Sequence, residues 1–196
     1  MKKHIKQLLF LGVLLSFSPL AHAGTYTINF EQYSANTQIT NQYAAEGVTF
    51  VNAMQLVAPY NTVDFPPHSG SGVITNDSGN FDFGADPITV LFAPGASDIT
   101  GWYSDPGGMT VTAYDQSNDL LGTFLGAATN QANAEFAISS LTSGISYIVI
   151  SDNSNNADSL TVDDLSYNLT PEPGSFLLFG TGLLGLAGVM RRKFAR

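Results

Sequence analysis

The 196-residue chain contains no cysteine, which removes a disulfide framework, a thiolate metal site and a cysteine nucleophile together. Lysine and arginine are scarce: seven in all, confined to Lys2, Lys3 and Lys6 at one end and Arg191, Arg192, Lys193 and Arg196 at the other. Residues 24–170 therefore carry fifteen carboxylates and not one Lys or Arg. A surface of that charge repels phosphate, so nucleic acid and anionic lipid are excluded as its partners. Histidine is equally sparse, with His68 alone in that segment, so a transition metal would find almost only oxygen ligands. The length excludes two large domains.

The basic ends read as addresses. Residues 1–6 are basic, residues 8–17 are an apolar run, and Ala21-His22-Ala23 gives the small-x-small pattern of signal-peptidase cleavage, with Ala21 and Ala23 as its small residues. Residues 1–23 are thus expected to be a signal peptide. At the other end, residues 174–190 are uncharged and as a helix would reach about 25 Å, near the lower limit of a bilayer span. Arg191, Arg192 and Lys193 follow at once as a basic stop. This predicts a C-terminal transmembrane helix with its basic end in the cytoplasm and the acidic segment outside the inner membrane.

Pro171-Glu172-Pro173, the short Gly/Leu-rich apolar segment and the Arg-rich end together resemble the PEP-CTERM sorting signal of Gram-negative bacteria over residues 171–196. The resemblance implies export, a transient inner-membrane anchor, and processing by an exosortase near Pro171-Glu172-Pro173. It fixes a route and leaves the cargo, residues 24–170, to be read on its own.

That cargo reads as all-β. Short runs of alternating apolar residues, punctuated by Gly, Pro, Asn and Asp, recur from Tyr26-Thr27-Ile28 onward. Strands are expected at 47–51, 54–58, 72–76, 87–93, 98–104, 109–115, 120–125, 134–139, 145–151 and 159–168. Only residues 39–46 look helical, with Gly47 as the stop. Many short strands without crossover helices predict an antiparallel two-sheet sandwich, with a jelly-roll ahead of an immunoglobulin-like fold. The expected core is Val111, Ala113, Leu121, Phe136, Ile138, Tyr147, Val149, Leu160, Val162 and Leu165.

Phe30-Glu31, residues 40–50 (TNQYAAEGVTF) and Thr161-Val162-Asp163-Asp164-Leu165 resemble exported jelly-roll domains found ahead of PEP-CTERM signals. Carbohydrate-binding jelly-rolls pair an early Glu with an Asp near the last strand at a structural calcium, which the resemblance maps onto Glu31 and Asp163. Calcium also suits the chemistry, because a crowded carboxylate without basic neighbours needs a proton, backbone N–H groups or a cation. Asp152 to Asp158 starts like a calcium loop but lacks its glycine and closing glutamate, and reads first as a polar turn.

Enzymatic readings find little support. His68 stands in Phe65-Pro66-Pro67-His68-Ser69-Gly70, a loop by composition, with no nucleophile elbow anywhere. Glu31, Glu46 and Glu135 belong to separate elements, and spacing alone does not set any two of them across a sugar. Trp102 and Tyr103 fall on opposite faces of one strand, so one is core and the other is a candidate for stacking on a sugar ring. The expected function is a non-enzymatic, exported envelope or extracellular-matrix protein with a structural or adhesive role. A carbohydrate-binding module with a polysaccharide partner is the alternative, and a carbohydrate-active enzyme the third reading.

Overall fold

The computed structural model describes residues 24–77, 86–129, 131–140, 144–153, 160–170, 180–182 and 185. The residues of the expected signal peptide, including Ala21 and Ala23, and the sorting residues Pro171, Glu172, Pro173, Arg191, Arg192 and Lys193 lie outside them. So does most of the expected membrane helix 174–190. Residues 180–182 and 185 are helical, and among the described residues no helix is long and apolar enough to cross a membrane.

Ala23–Thr170 forms one compact unit, mostly β and antiparallel. Its strands are β1 Thr25–Ile28, β2 Gln38–Ile39, β3 Val48–Val51, β4 Ala53–Val57, β5 Gly72–Asn76, β6 Ile88–Ser104, β7 Met109–Tyr114, β8 Leu120–Leu125, β9 Ala134–Ser139, β10 Ile145–Asp152 and β11 Thr161–Leu169. The expectation of two strands at 87–93 and 98–104 is corrected here. Pro94 and Gly95 read as a break, but the chain stays extended through them and makes one 17-residue strand. Proline is tolerated there because both flanking ladders are interrupted at that point, between Ile145 and Tyr147 on one side and between Tyr167 and Leu169 on the other.

The long strand changes partners at its middle. Its first half pairs with β3 and β10 and its second half with β9 and β11. One arm of the structure is therefore β3-β6-β10-β7-β8, and the other is β2-β4-β5-β11-β6-β9 with β1 also on β11. Alternating residues of both arms meet in a single core, including Ile88, Val90, Val111 and Ile148 from the first and Ile99, Phe136, Val162 and Leu165 from the second. Most of the expected core is there. Tyr147 and Val149 are not: they are half-buried on the outer side, and Ile145, Ile148 and Ile150 point inward instead. The run is apolar at every position from 147 to 150, so alternation alone left its phase open, and a bulge between Ile145 and Tyr147 sets it. Leu121 is half-buried and packs at the core's margin.

The expected helix over 39–46 shrinks to one 3-10 turn, Ala44–Glu46. Ile39 joins the ladder against Ala53, while Gly47 stops the turn at φ +81°, a left-handed conformation natural to glycine.

Candidate functional site

The loop between β4 and β5 folds back over β11, and three carboxylates hold it down. Alternation would send Asp163 inward and Asp164 outward. The ladder to β6 is broken between Asp163 and Ser166, and Asp164 has φ +47°, so the two successive side chains reach the same loop. Asp163 Oδ2 accepts the backbone N–H groups of His68 and Ser69, each at 2.8 Å, while its Oδ1 accepts the N–H of Asp164 at 2.7 Å. Asp164 accepts the Nδ1–H of His68 at 2.6 Å and the Ser69 hydroxyl at 2.9 Å.

Glu31 completes the clamp from the segment just after β1. Its Oε1 accepts the N–H groups of Ser71 at 2.8 Å and Gly72 at 2.6 Å, and its Oε2 accepts the Ser71 hydroxyl at 3.2 Å. Glu31 and Asp163, paired by resemblance, thus do converge on residues 68–72. Tyr60 senses both: burial first, then the charges of Asp163 and Glu31, push its hydroxyl pKa upward. The two carboxylates themselves diverge. Burial drives Asp163 up to about 6, with Asp164 adding to the rise and the Ser69, Asp164 and His68 N–H groups opposing it. For Glu31 burial also pushes upward, but the Gly72 and Ser71 donors prevail and its pKa falls below the usual value.

The His68 ring lies flat on Trp102, centroids 3.8 Å apart and planes 5° from parallel. The two residues proposed for sugar stacking therefore have different fates. Tyr103 is a correction: it is buried, with its hydroxyl donating to the Ala127 carbonyl at 2.9 Å. Trp102 does face outward, but His68 covers one face of its indole. The resemblance pairs Glu31 with Asp163, but the part played by His68 and Asp164 is not legible in the sequence, because those contacts join residues about 95 apart.

Chemically, this arrangement fastens a loop. The Ser69 hydroxyl donates to Asp164 rather than to His68, which is the wrong partner for an activated nucleophile. Glu135 stands exposed on β9 opposite Trp102, far from the layout of two carboxylates facing across a cleft. Calcium fits poorly as well. Six N–H and O–H donors already point at the oxygens of Glu31 and Asp163, and a cation would face the same partial positive charges. Among the described residues no group of three His, Asp or Glu is placed to hold a metal ion.

Melting the unit in calcium and in chelator reads this directly. An ion at a hundredfold excess over its Kd adds about 2.7 kcal/mol, roughly 5–10 °C for a domain of this size. The donor geometry predicts no such rise. A shift of that size, lost in Glu31→Ala and Asp163→Ala, would place an ion between them.

The chain carries a PEP-CTERM protein-sorting motif, matched at residues 169–193. This motif implies export and processing by an exosortase. No curated protein matches the chain in sequence. Among solved structures it is similar to the K1 cleaved adhesin domain of Lys-gingipain from Porphyromonas gingivalis W83, with TM-score 0.48 and 13% identity over 75% of this chain and 99% of that one. It is also similar to a family 6 carbohydrate-binding module, with TM-score 0.40 and 15% identity over 78% and 100% of the two chains. A xylan-binding domain of carbohydrate-binding family 22 matches at TM-score 0.44 and 11% identity over 77% and 97%.

Proposed function

We propose that residues 24–170 are the non-catalytic cargo of an exosortase pathway in a Gram-negative envelope, a two-sheet sandwich of jelly-roll type that acts at the cell surface or in the extracellular matrix as a structural or adhesive component. The observation that carries this reading is the junction of two parts. A compact β unit ends at Thr170, and the sorting motif begins at residue 169. The two arms sharing β6 over one core support the sandwich. In the proposed route the basic stop holds residues 174–190 in the inner membrane until Pro171-Glu172-Pro173 is processed.

Replacing Arg191, Arg192 and Lys193 with neutral residues tests the route. The positive-inside rule predicts disturbed orientation and loss of the processed form, while residues 24–170 keep their fold. Processed protein of unchanged size and amount at the surface or in the medium would refute it.

A second reading, carbohydrate binding, draws on the outer side of the β3-β6-β10-β7-β8 arm. At the centre of that face Tyr114 and Tyr147 stack on each other, centroids 4.9 Å apart and planes 14° from parallel. Half-exposed aromatic rings with polar tips suit a wet binding surface, and a sugar offers both apolar and hydroxyl faces to such a pair.

A further inference from the structure

The two outer sheet faces differ in kind. On the β11-β6-β9 side, the outward residues include Asp98, Glu135 and Asp164 as well as the His68–Trp102 stack. On the other side the ladders set Thr49, Leu91, Tyr147, Tyr114 and Leu120 in one row across five strands. Val51, Thr89, Val149, Thr112 and Thr123 form the next row, and Ser151, Thr110 and Leu125 the third. None of these thirteen positions is charged, in a segment with fifteen carboxylates. Val51, Leu91, Leu120 and Leu125, at 47%, 39%, 60% and 75% exposure, are four of the five large hydrophobic residues exposed among those described. Large apolar side chains exposed on one uncharged face, spaced by Thr and Ser, make it a candidate interaction surface.

Resting on the carbohydrate-binding reading, we propose that this face binds an uncharged polysaccharide, lying across the strands along the row centred on Tyr147 and Tyr114. Charge selects the ligand first. The unit has no Lys or Arg to pair with a uronate or sulfate, and its carboxylates would repel either polymer and an anionic membrane alike. Size argues against a second copy of the chain. Thirteen outward positions on strands about 4.8 Å apart, two or three to a strand, give a face of roughly 400 Å² in projection. Two such faces together, roughly 800 Å² in projection, fall short of the ~1,000 Å² that a stable protein interface needs. The surface chemistry suits sugars: hydroxyls of Thr49, Thr89, Thr123 and Ser151 both donate and accept, as sugar hydroxyls do, between aliphatic and aromatic patches. An open row about 19 Å long, set by four strand spacings, takes a chain segment rather than a monosaccharide.

Because Ala23–Thr170 is compact with its own core, residues 24–170 serve as the test protein. They are run by affinity electrophoresis through gels containing hydroxyethylcellulose, arabinoxylan, galactomannan or alginate. The expected result is retardation by at least one of the three neutral polymers and none by alginate. Tyr114→Ala with Tyr147→Ala, and separately the surface change Leu91→Lys, should each weaken the retardation at least tenfold. Melting temperatures measured alongside must show folded variants, and Leu91→Lys guards against loss of the tyrosine pair acting through the fold. Retardation kept by both variants but lost in Trp102→Ala would overturn this face and leave carbohydrate binding standing on the other one. No retardation by any neutral polymer overturns both, and a dimer in sedimentation that Leu91→Lys dissolves would give the face to a second copy.

Discussion

Gly72→Ala is expected to destabilise the domain by about 3 kcal/mol, lowering Tm by roughly 6–12 °C. Gly72 opens β5 where the clamped loop enters the sheet, and its N–H is one of the two backbone donors to Glu31. A Cβ placed there would overlap the Phe30 carbonyl oxygen and come within 2.9 Å of Gln55 Nε2. Neither neighbour has room to retreat. Phe30 is fully buried at φ +54°, its ring packed edge-on against Tyr43 and Phe50. Gln55 is fully buried too, and its amide donates to that same Phe30 carbonyl at 2.6 Å. Moving either one opens the aromatic cluster or strands a buried carbonyl. Gly122→Ala is the internal control. Its Cβ would meet Ile138 at 3.7 Å, ordinary van der Waals contact, so Tm should hold or rise slightly. Thermal melts of both variants decide it; equal Tm values for the two would show that the close approach at Gly72 is not what fixes the loop's entry.

How far the sequence alone could reach depends on the range of the interactions. The strands at 72–76, 120–125 and 134–139 are found where alternation and flanking turn residues put them, because those signals act over a few residues. β6 escaped because Pro94-Gly95 is a local break signal that a long-range event overrides: the strand is swapping partners there and does not need the proline's missing donor. β10 escaped in phase because Tyr147-Ile148-Val149-Ile150 offers two apolar faces, and only a bulge chooses between them. The outer face follows from that choice, since a reading with Tyr147 in the core hides its stacking on Tyr114. His68 read as an isolated loop residue for the same reason. Its partners Trp102 and Asp164 come from β6 and β11, and no spacing along the chain announces them. The sorting motif needed no fold at all, being a linear signal.

Mild acid should stabilise this domain, against the usual trend. Asp163 is buried, and its pKa is raised to about 6 by that burial first, with Asp164 adding to it; in the unfolded chain an Asp titrates near 3.9. A carboxyl whose folded pKa lies above its unfolded one binds protons more tightly when folded. Its contribution is fully present below the unfolded value and is lost as pH rises through about 6. Taking the pH from 7.5 to 5 should therefore recover of order 1 kcal/mol, roughly 2–4 °C in Tm. Relief of repulsion among fifteen carboxylates with no basic side chains acts in the same direction. Glu31 opposes it at lower pH. Its pKa is depressed by the Gly72 and Ser71 donors despite the upward push of burial, so its contribution is present above the unfolded value and is lost as pH falls through the folded one. The two shifts together predict a stability maximum in mild acid, between the range where Asp163 gains its proton and the range where Glu31 loses its charge. Asp163→Asn removes the titrating group, so its melts should rise less between pH 7.5 and 5 than the parent's. Glu31→Gln should leave that rise in place and flatten the fall below pH 4. A parent Tm that drops steadily from pH 7.5 to 5 would mean that the loop N–H groups hold Asp163 ionised throughout, and the clamp would then be a conventional charge-assisted one.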